Sequence, residues 1–461
     1  GAPPRLCYIP PAAHEAGSAR PVYWDTEEYP RFVGAGRGAC YTPQPGQEPY
    51  QPIGNIPQVA HTFGYFEATY GTMNEHGVGI GETTCSAVFA TDAAGHGGKA
   101  LLSIDELTRI AMERATTSRE AVKLMGGLAE RYGFYGVGSF EGSGESLMVG
   151  DKEEAFVFHI LPDPTGASAI WAAQRVPDDG VAVVANHFMI REIDFGDEAN
   201  FLHSASVRSV ALEKGWWKEG EPLDFTKVYS DGEYAHKFYS GRRVWGAYRL
   251  FGLDHLPSNY TDMRLDAVYP ATAKLPAGRA KVLPSDLFAI HRDYYQGTEF
   301  DMTKGLAAGP WGDPDRWSTN SKVAGSWERS IGLFRTTSSH VVQCRGWGQG
   351  SILWFGPHAA PGTCYMPLAA TATEVPAMYT VADPNVLSKQ SAYWAHRYAF
   401  NVAKIKYAYA MQDLAALQKR LEGAGATLVS RLDASGTAPA QLNAAYAEHA
   451  DAILRSFANL P

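Results

Sequence analysis

The spacing of apolar residues changes along the chain, and each change predicts a different kind of element. Over the opening eighty residues, short apolar segments such as "PQVAHTFGYF" lie among Pro, Tyr and Gly, the pattern of loops leading into strands. Residues 66 to 82 predict strand, turn, strand. Within "TMNEHGVGIGETTC", Thr72 to Cys85, Asn74 suits the first turn position and Gly77 the positive φ that closes the turn. "VGIGE" continues as a strand whose small residues let another backbone or a substrate come close. At Ser103 the period becomes helical. "SIDELTRIAMERA" opens with Ser103 and Glu106 at capping-box spacing, and Leu107, Ile110 and Ala111 share one face. A second capping box, Thr117 to Glu120, opens a helix that ends at Gly133. Strands then return in "ESLMVGD", "EAFVFHIL", "SAIWAAQRV" and "GVAVVANHFMI".

Because the helices are grouped instead of alternating with each strand, a doubly wound parallel sheet is disfavoured and an antiparallel α+β layer structure is expected. Beyond about residue 225 the pattern is mixed, with Pro- and Trp-rich loops such as "AAGPWGDPDRW". The tail from Ser391 is Ala-rich and helical, interrupted near "DASGTAP". No repeat of fixed period and no low-complexity block is present.

Composition supports a well-packed globular chain: 45% hydrophobic, 19% charged and 12% aromatic residues. The net charge of −9, with no Lys or Arg cluster, argues against nucleic acid or anionic membrane partners. No apolar run is long enough for a transmembrane segment. The opening "GAPPRLCYIPPAAHEAG" has no signal-peptide pattern, and a natural start upstream of Gly1 is expected. Five cysteines without C-x-x-C spacing exclude a zinc ribbon or thioredoxin motif. Cys344 and Cys364 flank a hairpin that a disulfide can close, and Cys7 with Cys40 is a second candidate pair. These pairs, with the Asn259-Tyr260-Thr261 sequon, favour a secreted protein, extracellular or endolysosomal.

The usual enzyme motifs are missing. The fourteen His form no H-E-x-x-H, so no metal is implied. "HRD" at His291 to Asp293 lacks the other kinase motifs, and there is no G-x-S-x-G elbow. Gly77, Gly79 and Gly81 are not G-x-G-x-x-G, and no cofactor is implied. Taken alone, the Thr72–Cys85 stretch is a tight turn in a sheet, Asn186 a strand-end cap and Arg243 a salt-bridge partner.

Four segments together resemble peptidase family C69, dipeptidases of the N-terminal-nucleophile cysteine hydrolase superfamily. They are "NEHGVGIGETTC" at 74–85, "GKALLSIDELTRIAMERATTSREAVKLM" at 98–125, "SAIWAAQRVPDDGVAVVANHF" at 168–188 and "RDYYQGTEFDMTKGLAAGPWGDPDR" at 292–316. Similarity continues through "YWAHRYAFNVAKIKYA" and covers nearly the whole chain. The resemblance implies an Ntn-hydrolase αββα four-layer sandwich of antiparallel sheets with extra C-terminal helices: residues 1–390 as the catalytic domain and 391–461 as a helical extension packed on it. Related bile-salt hydrolases and penicillin acylases imply the site. The oxyanion-hole position falls near Thr84 with Glu82 beside it, Asn186 orients the substrate and the nucleophile's amine, and Arg243 matches a substrate-binding Arg, with Arg242 fitting that register equally well. Such donors suit a tetrahedral oxyanion because they are set in place before charge develops.

The chain departs from the family at the nucleophile. Relatives begin with a Cys whose α-amine, of pKa roughly 7.7 to 8.0, activates the thiol. Neither Cys7, in "PRLCYIP", nor Cys85 fits that role, and "RLCYIPPAAHEAGSARPVYWDTEEYPRFVGAG" resembles the segment that comes after the nucleophile strand in relatives. The expected activity is thiol-dependent cleavage of dipeptides or small amides, the nucleophile lying on an upstream, processed segment. The alternative is a secreted binding or structural module that keeps the fold without catalysis.

Overall fold

In the strand Ala155–Pro162, Phe156, Phe158 and Ile160 belong to one buried cluster and Val157 and Leu161 to another. Successive side chains of a strand point to opposite faces, so the sheet that holds it is covered on both sides. This computed structural model describes residues 5–24, 39–42, 48–136, 143–233, 237–279, 281–316, 329–381 and 386–460. The expected family-like stretch at 25–36 and the end of "AAGPWGDPDRW" at Trp317 lie outside the described residues.

The sheet has eight strands in spatial order: β1 (Cys7–Ile9), β2 (Tyr65–Glu67), β3 (Gly71–Asn74), β4 (Gly79–Cys85), β5 (Gly144–Gly150), β6 (Ala155–Pro162), β7 (Ala169–Arg175) and β8 (Phe201–His203). Every pairing in it is antiparallel. Two helices, α1 (Ile104–Arg114) and α2 (Ser118–Tyr132), cover one face, with Leu107, Ile110 and Ala111 fully buried. On the other side a second antiparallel sheet, β9 (Ser339–Gln343), β10 (Ile352–Gly356) and β11 (Met366–Ala369), meets β4 through β9. Residues of α3 (Gly241–Leu250), α4 (Pro284–His291), α5 (Ala392–Ala403), α6 (Tyr407–Ser435) and α7 (Pro439–Ala458) share one buried cluster with β10 and β11. The protein is thus α+β with antiparallel sheets. The break near "DASGTAP" is the left-handed Gly436, φ 56°, followed by Pro439 at the start of α7.

Both expected capping boxes are half made. Ser103 and Thr117 accept from the N–H groups of Glu106 and Glu120, as an N-cap requires. The returning carboxylates go elsewhere: Glu106 pairs with Arg20 at 2.5 Å, and Glu120 accepts from the N–H of Thr116, one residue before the cap. Arg20 also binds Glu113 at 2.7 Å, while Arg109 binds Glu67 at 3.2 Å, so buried guanidiniums tie α1 to the strands around it. Tertiary charge pairing takes the carboxylate because an unpaired buried guanidinium costs far more than a weakened cap.

Two other expectations are corrected. "GVAVVANHFMI" is a strand only over Gly180–Ala182 and pairs with Thr272–Lys274 outside the main sheet. Asn186 at φ 51° then turns the chain out of extended conformation. Cys7 and Cys40 are bonded, but Cys344 and Cys364 are free thiols. Cys364 is fully buried in the cluster of the second sheet, whereas Cys344 faces a cavity between the sheets.

The β3–β4 turn is held from both sides. Asn74 is fully buried and donates to the carbonyls of Met112 and Ala115 at 3.1 and 2.8 Å, while its Oδ1 accepts from the N–H groups of His76 and Val78. Gly77 sits at φ 80°, and Ser351 donates to its carbonyl at 3.1 Å. Replacing Asn74 by Ala leaves two helix-end carbonyls and two turn N–H groups unsatisfied. Asn74→Ala is expected to destabilise the fold by about 2–4 kcal/mol in urea unfolding, given roughly 1–3 kcal/mol for a buried group left unpaired.

Candidate active site

The register of β3 and β4 holds only at the Met73–Gly79 pair. Beyond it the strands part, and a cleft opens between the two sheets. It comprises a 420 Å³ cavity walled by Tyr70, Thr72, Glu82, Thr83 and Ser339 and a 510 Å³ cavity walled by Arg243, Phe251, Ile290 and Cys344. Gly81, His291 and His340 line both. A Cβ at Gly81 would meet nothing within 4 Å, so the missing side chain leaves open space.

Strand alternation sorts the residues of β4. Ile80 lies in the cluster of α1 and α2, and the two-residue period carries Glu82 and Thr84 toward the same side. There Thr84 Oγ1 donates to Glu82 Oε1 at 3.1 Å. Thr83 points the other way, and its Oγ1 accepts from the backbone N–H of Asn186 at 2.9 Å. Asn186 Nδ2 donates to the Thr84 carbonyl at 2.5 Å, and Arg243 Nη2 donates to Asn186 Oδ1 at 2.8 Å. Ser240 donates to the Asn186 carbonyl at 3.1 Å. The four residues singled out from the sequence, Glu82, Thr84, Asn186 and Arg243, therefore form one bonded chain. Thr84 reaches Asn186 by its carbonyl, and Thr83 is the side chain on the Asn186 face. Alternation along a strand was the signal for Thr83, but it needed one buried neighbour to set the phase.

Arg242, the other residue that fits that register, is placed differently. Arg242 is 2% exposed, lies 3.4 Å over the Phe300 ring and donates to the Ser258 carbonyl, away from Asn186. The "HRD" residues are structural at two of three positions: Arg292 pairs with Glu422 and Asp293 with Arg249. His291 does reach the cleft, with Nδ1 2.9 Å from the Tyr365 hydroxyl, and burial pushes it down to about 4. His340 donates from Nε2 to the Ile80 carbonyl at 2.8 Å; burial lowers it, so its Nδ1 is an acceptor. No local motif marked His340, because its contact comes from β9 meeting β4.

Burial raises the Glu82 carboxyl to about 7, hydrogen bonds with Glu145 and Thr84 hold it back, and Asp105 pushes it further up. Burial and the neighbouring Arg329 press Arg243 down to about 9, so it remains charged at neutral pH. Cys85, Ser146 and His159 line up like a nucleophile with its base: Cys85 Sγ is 3.1 Å from Ser146 Oγ, which is 2.7 Å from His159 Nδ1. His159 Nε2 accepts from the N–H groups of Met189 and Ile190, so Nδ1 carries the proton and cannot take another. Burial also drives His159 down to about 3 and the Cys85 thiol up. This trio is core structure. Among the described residues no three His, Cys, Asp or Glu are grouped to hold a metal ion.

The sequence profile of peptidase family C69 matches residues 45–420, most of the chain and all of the segments that build this cleft. The chain belongs to peptidase family C69. A probable dipeptidase of Latilactobacillus sakei is 25% identical over 336 residues, 72% of this chain and 63% of that protein. A probable dipeptidase of Salmonella dublin is 24% identical over 295 residues, 62% of this chain and 59% of that protein. Dipeptidase A of Lactobacillus helveticus is 21% identical over 330 residues, 70% of this chain and 62% of that protein. The chain thus spans about three fifths of the length of these relatives. In this C69 member two conformations, the left-handed Asn186 and the parting of β3 from β4, decide which side chains meet the cleft.

The raised Glu82 carboxyl makes stability depend on pH. The folded protein holds this proton more tightly than the unfolded chain, whose Glu titrates near 4.5. The gain is therefore complete below about 4.5 and is lost as pH rises through about 7. Melting temperature measured across that window should fall more steeply for the native chain than for Glu82→Gln.

Proposed function

We propose that this protein is a cysteine-type dipeptidase or close amidohydrolase whose nucleophile is carried on a segment upstream of residue 1. The observation behind this is the state of its five cysteines beside a cleft rich in donors. Cys7 and Cys40 are bonded to each other, and burial raises the thiols of Cys85 and Cys364 and lifts Cys344 to about 12. A thiol must ionise to attack, so none of them is activated. The names of the relatives, all dipeptidases, support the substrate class.

The upstream thiolate adds to the scissile carbonyl, and the α-amine takes the thiol proton and passes it to the departing amine. Water then cleaves the thioester. Asn186 keeps one amide N–H for the oxyanion or the nucleophile's amine, with Thr84 fixing its orientation and Glu82 supporting Thr84. Arg243 holds the Asn186 side-chain amide oxygen and keeps further donors for a substrate carboxylate. The fold in this reading is the Ntn αββα sandwich over residues 1–390, with α1 and α2 as one outer layer and the helices from residue 391 as an extension packed on it. The disulfide and the exposed Asn259 support an extracellular or endolysosomal site of action.

The competing reading is a binding module with the same fold and no catalysis, favoured by the same lack of an activated thiol. Hydrolysis of a dipeptide panel by the natural-length protein separates them. Cleavage abolished by iodoacetamide, and lowered about 100-fold in kcat/KM by Asn186→Ala or Arg243→Ala, is the expected result. No cleavage, or cleavage indifferent to thiol alkylation, refutes the peptidase reading. Secreted expression in a eukaryotic host should add a glycan mass that Asn259→Gln removes.

A further inference from the structure

The two halves of the cleft differ in chemistry. The 420 Å³ half is walled by hydroxyls and Glu82, whereas the 510 Å³ half is walled by apolar side chains. They come from every element around it: Val341 and Val342 of β9, Val183 before Asn186, Phe251 after α3, Ile290 of α4, and Ile331. Its volume suits a small-molecule site, and Gly81 joins it to the polar half with open space where a side chain would stand.

Among the described residues that line the apolar half, Arg243 is the one that carries a full charge. Burial keeps His291 and His340 neutral and holds the Cys344 thiol protonated, at about 12. Arg243 donates from Nε to the Tyr239 carbonyl at 2.9 Å and from Nη2 to Asn186 Oδ1 at 2.8 Å, which leaves Nη1 unused. Neither acceptor is a carboxylate, and the neighbouring Arg329 adds a second positive charge. A guanidinium held largely out of water without an anion is costly, so this end of the cavity favours one.

We propose that this cavity takes the side chain of the substrate's C-terminal residue, that the side chain is bulky and apolar, and that the residue's carboxylate sits on Arg243. The proposal rests on the peptidase reading above and specifies its substrate. Arg243 bonds directly to Asn186, so a carboxylate on this guanidinium and an oxyanion at the Asn186 amide lie about one residue apart, roughly the 3.8 Å between consecutive Cα atoms. That is the reach of the last residue of a dipeptide. Residues 183–185, which run into Asn186, line the cavity and carry the intervening side chain into it. An ionised side chain would leave water for walls whose one charge its own carboxylate already uses. Glycine or alanine would leave the apolar walls unfilled.

Hydrolysis of Ala-Phe, Ala-Leu, Ala-Ala, Ala-Asp and Ala-Lys by the natural-length protein tests it. The expected kcat/KM is about 10- to 100-fold higher for Ala-Phe and Ala-Leu than for Ala-Ala, and lower still for Ala-Asp and Ala-Lys. Ala-phenylalaninamide, which lacks the carboxylate, should lose about tenfold or more against Ala-Phe, and Arg243→Ala should remove that difference. Gly81→Val places its Cβ where nothing lies within 4 Å, and should cost Ala-Phe about tenfold relative to Ala-Ala. Equal rates for Ala-Phe and Ala-Asp, or for Ala-Phe and its amide, overturn the proposal and leave the peptidase reading standing. Cleavage of none of them refutes that reading, and calorimetric titration of this chain then decides the cavity by itself. Ala-Phe bound about tenfold more tightly than Ala-Ala supports it, and equal or absent binding overturns it. Binding to this chain that the natural-length protein lacks would put the upstream segment in the cavity and overturn it as well.

Discussion

The cleft depends on one residue held in an unfavourable backbone state. At φ 51° Asn186 occupies the left-handed region, which costs a non-glycine residue of order 1–3 kcal/mol unless its surroundings fix it. Here they do: Thr83 and Thr84 of β4 hold its backbone N–H and side-chain amide, while Ser240 and Arg243 hold its two carbonyl oxygens. These four contacts bring together a strand, an irregular turn and the start of α3 that are far apart in sequence. Remove the turn and Arg243 Nη2 loses the Asn186 oxygen it binds, while the carbonyl of Thr84 loses its donor.

The same burial that builds the double-sheet core sets the charge state of the cleft. Taking groups out of water favours their neutral forms, so Glu82 rises while His291 and His340 fall. Arg243, lowered by burial and by the neighbouring Arg329 but still protonated, keeps a positive charge at the cleft.

Helices α1 and α2, the turn at Asn74 and Gly77, the strands β5 to β7 and the helical tail were legible as local patterns, because capping, periodicity and positive φ are properties of short segments. The membership of Glu82, Thr84, Asn186 and Arg243 in one group came from resemblance alone. Nothing within ten residues of Asn186 foretold its left-handed turn, and the run "GVAVVANHFMI" reads as a longer strand than it is. The Cys344–Cys364 pairing failed for a similar reason: two cysteines flanking a hairpin say nothing about which way each faces once helices cover one side of the sheet.

By itself, then, the sequence determined element types, the antiparallel α+β character and the identity of the residues able to serve a polar cleft. Tertiary structure decided orientation: that Thr83 and not Thr84 offers its side chain to Asn186, that Arg243 and not Arg242 completes the chain, and that Cys85 with Ser146 and His159 is inert. The reason is physical. Local backbone preferences act over a few residues, whereas side-chain direction, burial and protonation are set by neighbours that the chain brings close only when the two sheets pack together.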